Sequence, residues 1–220
     1  MRFNPGFNIA YSIVSFAFHF WFSIKIAGKE NLPEGDGFIV ASNHRTYADP
    51  PMVNVCIKRR FCFIAKKALF KNKFFAWLIS TLGAIPSTSD DPNYDVIDRA
   101  IYEMKTNKRC VCIFPEGTRH RDGKVGRGHS GVVVMAAKTD SPIVPVGIAY
   151  KGNLHFRKRI EFRIGKPLRV EDFGCDKNSD TKQLRPMRNK IMEDITFLAN
   201  ADNKYEDYGK YLSQENEQSK

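Results

Sequence analysis

Residues 37–50 read GFIVASNHRTYADP. The first six, Gly37 to Ser42, form an apolar run with the length and β-branched content of a buried strand. The remaining eight turn polar, with His44 and Asp49 five residues apart and Pro50 closing the stretch. A short buried strand that stops in a polar turn is the unit of an α/β layer fold, in which sites form at strand ends. An imidazole held by a carboxylate keeps one tautomer, offers its other nitrogen as a base and is stabilised once protonated. The same spacing equally suits a structural hydrogen bond, so the pair alone does not decide between the two.

Outward from this stretch, apolar runs at 61–65, 110–114, 143–150 and 160–164 also read as strands. Helical patterns lie between them: at 93–106, where Ile97, Ile101 and Met104 recur at helical spacing, at 131–138, and at 184–200 with Pro186 near its start. This alternation predicts an α/β fold with a mixed, largely parallel central sheet flanked by helices, in one domain over residues 30–200. The Pro- and Gly-bearing NLPEGDG at 31–37 reads as its entry, and the polar residues 201–220 as a loosely held helix or tail.

A second strand end carries chemistry. The run at 110–114 stops in Pro115-Glu116-Gly117-Thr118-Arg119, so the two strand ends are expected to face one pocket. Arg119 offers a planar fork suited to phosphate, and Thr118 adds a hydroxyl. Glu116 could orient the arginine or a substrate hydroxyl, and Gly117 permits close backbone approach. Arg121, Lys124, Arg127 and His129 carry the positive charge onward, a run that also reads as a solvated basic loop.

The 35 Lys+Arg against 24 Asp+Glu leave a net charge of +11, which calls for an anionic partner: a membrane surface, a phosphorylated substrate or nucleic acid. The stretch from Phe7 to Ile26, FNIAYSIVSFAFHFWFSIKI, is long enough as a helix to span a bilayer. Its polar residues Asn8, Ser12, Ser15, His19 and Ser23 fall at steps of three or four and form one narrow stripe. That favours a helix lying in one leaflet, with a span or docking on the protein's own core as alternatives. Residues 1–29 are therefore read as a membrane-binding amphipathic helix, with Phe16, Phe20, Trp21 and Phe22 toward lipid. KKALFKNKFFAWL, at 66–78, interleaves lysines with Phe74, Phe75 and Trp77 and suits an anionic bilayer, an inward-packed amphipathic helix or single-stranded nucleic acid. No recognised nucleic-acid motif accompanies it, and the expected partner is the membrane. Five cysteines, odd in number and without a Cys-x-x-Cys pair, point to reduced thiols and to the cytoplasmic face.

Together, Asn43-His44-x4-Asp49 and Phe114-Pro115-Glu116-Gly117-Thr118-Arg119 resemble the marks of the lysophosphatidic acid (1-acylglycerol-3-phosphate) acyltransferase family. Gly83-Ala84-Ile85-Pro86 looks like that family's second block and Val144-Pro145-Val146-Gly147-Ile148 like its fourth, so the resemblance covers about residues 30 to 165. It implies His44 as general base on the acceptor hydroxyl and Asp49 as its orienting partner. It implies Glu116, Gly117, Thr118 and Arg119 around the acceptor's phosphate, with Asn43 and Arg45 in the same substrate-binding group. The implied donor is acyl-CoA or acyl carrier protein, the acceptor a lysophospholipid, and no metal or organic cofactor is needed. Where the family usually has an arginine, six residues beyond the glycine of its second block, this chain has Ser89. That departure opens the acceptor to another lysolipid or hydroxylated lipid.

Overall fold

The computed structural model describes residues 5–87 and 96–218. Ser89 and the expected helix start at Asn93 lie outside the described residues. Helix α1 (Pro5–Trp21) leads into strand β1 (Phe22–Ala27), followed by β2 (Ile39–Ser42), α2 (Asp49–Ile57), β3 (Phe61–Lys66), α3 (Lys73–Thr81) and β4 (Ala84–Ser87). Then come α4 (Val96–Asn107), β5 (Cys110–Ile113), α5 (Gly131–Thr139), β6 (Ile143–Ala149), β7 (Lys158–Ile164), α6 (Arg185–Ala199) and α7 (Tyr208–Gln218).

The strands pair in the order β1-β7-β6-β2-β5-β3-β4. All neighbours run parallel except β6 and β7, so the sheet is mixed and mostly parallel. β2 lies between β5 and β6, and every residue of β2 and β6 is buried, as expected of strands covered on both faces. One face packs Phe38, Val40, Phe63 and Ile148 against Met52, Val53 and Cys56 of α2. The other packs Ile39, Val111 and Ile143 against α4, α5 and α6.

α2 is buried nearly all round because it is covered twice, by the sheet and by α1. Its Val55 meets Ala10 and Val14 of α1 and Leu82 after α3. Tyr11 adds a hydroxyl bond to the Val55 carbonyl at 3.2 Å. Docking on the protein's own core is therefore what α1 does with one face. The opposite face leaves Ile9, Ile13, Phe16 and Phe20 exposed, and Trp21 at its end is exposed as well. No described helix is long and apolar enough to cross a membrane.

Two expectations change here. The helix expected to reach Ile26 ends at Trp21, and 22–27 form an edge strand paired in parallel with β7. Phe22, expected toward lipid, is only 8% exposed, because strand alternation turns Phe22, Ile24 and Ile26 to the core. The segment from Tyr205 to Tyr211 is also tied down. Tyr205 donates its hydroxyl to the Ile164 carbonyl at 2.9 Å, Tyr208 is buried, and Tyr211 stacks on Phe197 at 4.4 Å. On α3, Phe74, Phe75 and Trp77 stay exposed, while Leu78 packs inward.

Candidate active site

Because β2 and β5 are neighbours in parallel register, the turns that leave their C-terminal ends lie side by side. Asn43 fastens the first turn to the sheet: its Oδ1 accepts from the Ile148 N–H at 2.8 Å and its Nδ2 donates to the Ile148 carbonyl at 3.2 Å. His44 follows, its ring stacked on Phe114 from the other turn at 4.1 Å between centroids. Its Nδ1 lies 2.8 Å from Asp49 Oδ2.

Asp49 opens α2 and is 1% exposed, where an isolated carboxylate would be costly. Three further donors offset that cost: Arg45 N–H at 2.6 Å and Thr46 N–H at 2.7 Å on Oδ2, and Thr46 Oγ1 at 2.9 Å on Oδ1. A carboxylate so surrounded by donors acts only as an acceptor, which assigns the shared hydrogen to His44 Nδ1. Nε2 is left with its lone pair, has no partner among the described residues, and belongs to a side chain still 17% exposed. The five-residue spacing thus places the His44 ring and the Asp49 carboxylate in contact.

Glu116 is turned inward. It is 4% exposed, and its Oε1 accepts from His44 N–H at 2.8 Å while Oε2 accepts from Gly126 N–H at 2.7 Å. His120 Nε2 stands 3.5 Å from the same Oε2, and His120 N–H donates to the His44 carbonyl at 2.8 Å. Glu116 therefore braces two stretches of backbone and a histidine ring, and both of its oxygens are engaged within the protein. Arg45 is turned away too: it lies flat on the Tyr150 ring at 3.8 Å and donates to the carbonyls of Tyr150 at 2.7 Å and Gly152 at 3.2 Å. Asn43 is likewise consumed by the sheet.

Gly117, Thr118 and Arg119 remain open toward solvent beside His44. Gly117 takes a left-handed φ of 67°, and a Cβ there would stand 3.3 Å from the His129 ring. The Arg119 guanidinium lies 3.7 Å above the exposed Tyr47 ring, which holds it in place while leaving its edge N–H groups for an anion. Sequence reasoning had not singled out Thr46, Tyr47, Phe114, His120 or Gly126. Thr46, Tyr47 and Phe114 lie within the quoted motifs, and His120 and Gly126 carry no signal of their own.

Burial pushes the thiols of Cys56, Cys62 and Cys110 up to about 12 and that of Cys112 well above its ordinary value, so none of these four is a nucleophile at neutral pH. Among the described residues no group of three or more His, Cys, Asp or Glu could hold a metal ion. An open groove of about 870 Å³ runs between Gly126–Gly128 and the outer face of α6. Neither His44, Asp49, Thr118 nor Arg119 lines it; those four lie at the strand ends instead.

The model of the acyltransferase family matches residues 23–149. A 1-acyl-sn-glycerol-3-phosphate acyltransferase of Streptococcus pneumoniae is 29% identical over 171 residues, covering 77% of this chain and 63% of that protein. The Bacillus subtilis enzyme of the same name is 32% identical over 157 residues, 68% of this chain and 76% of that one. The chloroplastic LPAT1 of Arabidopsis thaliana is 32% identical over 137 residues, 61% of this chain but 38% of that protein. This chain thus matches less than two thirds of the length of the pneumococcal and Arabidopsis relatives. Among solved structures, the 1-acyl-sn-glycerophosphate acyltransferase PlsC from Thermotoga maritima aligns with a TM-score of 0.69 at 27% identity, covering 85% of this chain and 76% of that one.

Proposed function

This chain belongs to the acyltransferase family, and from that premise we propose that it moves a fatty acyl group from a thioester to the sn-2 hydroxyl of 1-acylglycerol 3-phosphate, giving phosphatidic acid. The observation that carries this reading is the 2.8 Å His44–Asp49 pair, set beside Thr118 and Arg119 on the adjoining strand end. His44 Nε2 takes the proton of the acceptor hydroxyl as its oxygen bonds to the thioester carbonyl carbon. The buried Asp49 carboxylate stabilises the imidazolium so formed. The tetrahedral intermediate then collapses, the carbon–sulfur bond breaks, and the imidazolium returns its proton to the departing thiolate. A thioester is already activated, so this step needs no acyl-enzyme and no metal. Thr118 and Arg119 have backbone N–H groups without an acceptor among the described residues, and these suit the oxyanion of the intermediate. The Arg119 side chain suits the acceptor's phosphate.

The same reading places the protein on the cytoplasmic face of an anionic membrane, with acyl-CoA or acyl carrier protein as donor. The net charge of +11 and the exposed rings Phe16, Phe20, Trp21, Phe74, Phe75 and Trp77 support it.

The test supplies both donors with a panel of lysolipids and identifies the products by mass. Wild type should form phosphatidic acid, and His44→Ala should lose roughly 10² to 10⁴-fold in rate while remaining folded. Undiminished turnover in His44→Ala would sink the mechanism. A product from another lysolipid alone would replace the acceptor, and the absence of any acylated product would leave a lipid-binding module.

A further inference from the structure

The loop between β6 and β7 carries an exposed ring that the motifs do not explain. Phe156 is 50% exposed, and its ring stands 5.7 Å from that of Phe20 and 5.4 Å from that of Trp21. It sits at the tip of a turn closed by Lys158 N–H on the His155 carbonyl at 3.0 Å. The next residue, Arg157, holds a left-handed φ of 59°, a conformation that costs a non-glycine residue about 1 kcal/mol. What holds it there is a bond from Arg157 N–H to the Trp21 carbonyl at 2.6 Å, which pins the turn to the last residue of α1. The loop is strained so that it can extend the aromatic end of the helix.

The charges around this tip have one sign. Arg157 and Arg159 flank the turn, and Lys25 follows on the paired strand β1; all three are exposed. The acid across from Lys25, Glu161, is committed to Arg163 at 2.9 Å, which holds its carboxyl below the usual range. Exposed rings within a collar of cations fit a bilayer rich in anionic phospholipid, with rings at the acyl boundary and cations at the headgroups. At its root the same loop supplies the Tyr150 and Gly152 carbonyls that hold Arg45, the residue after His44.

We propose that residues 151–157 are a second lipid-contacting element, which docks with the end of α1 on an anionic bilayer and is tied through Arg45 to the turn that carries His44. This rests on the membrane reading given above, and the experiment separates the two. The only tryptophans, Trp21 and Trp77, are changed to Phe, and Phe156→Trp then supplies a single reporter. With vesicles of equal parts phosphatidylglycerol and brominated phosphatidylcholine, its emission should shift to the blue and be quenched. In the native background Phe156→Ser should weaken vesicle binding about tenfold. Its melting temperature and its turnover of a soluble short-chain acceptor should not change.

Binding without quenching of the single indole in the Phe156→Trp reporter, or full-strength binding by Phe156→Ser, overturns the loop's role and leaves α1 as the anchor. Failure of the wild-type protein to sediment with the vesicles overturns the membrane reading as a whole. Concentration-dependent self-association that Phe156→Ser abolishes would assign the patch to a second copy of the chain and overturn the proposal.

Discussion

The turn after β2 and the aromatic end of α1 are opposite solutions to exposure. In the turn, Asn43, Thr46 and Asp49 spend their polar atoms on backbone or on one another, Glu116 braces them from the neighbouring turn, Arg45 keeps only a buried Nε without a partner, and His44 Nε2 is the unpartnered atom that solvent can reach. At the end of α1, the rings of Phe16, Phe20 and Trp21 stay exposed, with the equally exposed Phe156 beside the last two. Saturation on one side and bareness on the other assign them different tasks. The turn is built to hold one atom still, and the helix end is built to meet something outside the protein.

The comparison breaks first at Asp49. Asp49→Asn removes the charge that stabilises the imidazolium and sets an amide among four donors, so turnover should fall by roughly 10³ to 10⁴-fold, measured with saturating thioester and acceptor. Glu116→Ala comes next. It strands the N–H groups of His44 and Gly126 and should destabilise the fold by about 3 kcal/mol, read from denaturant melts, with slower turnover in the surviving protein. A ligand-only role for Glu116 would instead raise KM for the acceptor and leave the melt unchanged. Arg45→Met keeps much of the stacking on Tyr150 but loses two bonds to carbonyls, and should cost about 2 kcal/mol. The double variant Phe16→Ser with Phe20→Ser sharpens the contrast from the other side. Its stability should stay within about 0.5 kcal/mol of wild type while its vesicle binding falls. The smallest effect concerns the thiols. In the native protein at pH 8 a colourless disulfide reagent should promptly modify Cys175, the one partly exposed cysteine, and leave the four buried ones and the activity intact.

How much of this was legible in the sequence follows the same divide. The five runs read as strands are strands, because each is a short apolar stretch ending at a polar turn. β1 was hidden: Phe22–Ala27 alternates like a strand, but it continues an apolar helix with no glycine or proline between them. α2 was hidden for another reason. It is apolar on both sides, so it lacks the one-sided periodicity that marks a helix, and its two prolines read as a turn. β4 is short and carries Pro86 at the sheet edge. At the site, residue type and spacing named two segments that the fold brings side by side. They could not show that Asn43, Arg45 and Glu116 point inward, because their partners are backbone groups from β6 onward or from a loop, which one sequence does not expose.

The pairing of β1 with β7 also has a consequence in time. Phe22 is made 136 residues ahead of its register partner Lys158. At about 5–20 residues per second, the edge of the sheet that β1 completes is missing for roughly 7 to 27 seconds of synthesis. During that interval α1, with its bare rings, is a nascent segment without its final neighbours. Until β7 is made, those rings also lack Phe156 as a neighbour, and the helix meets its surroundings before it meets the sheet.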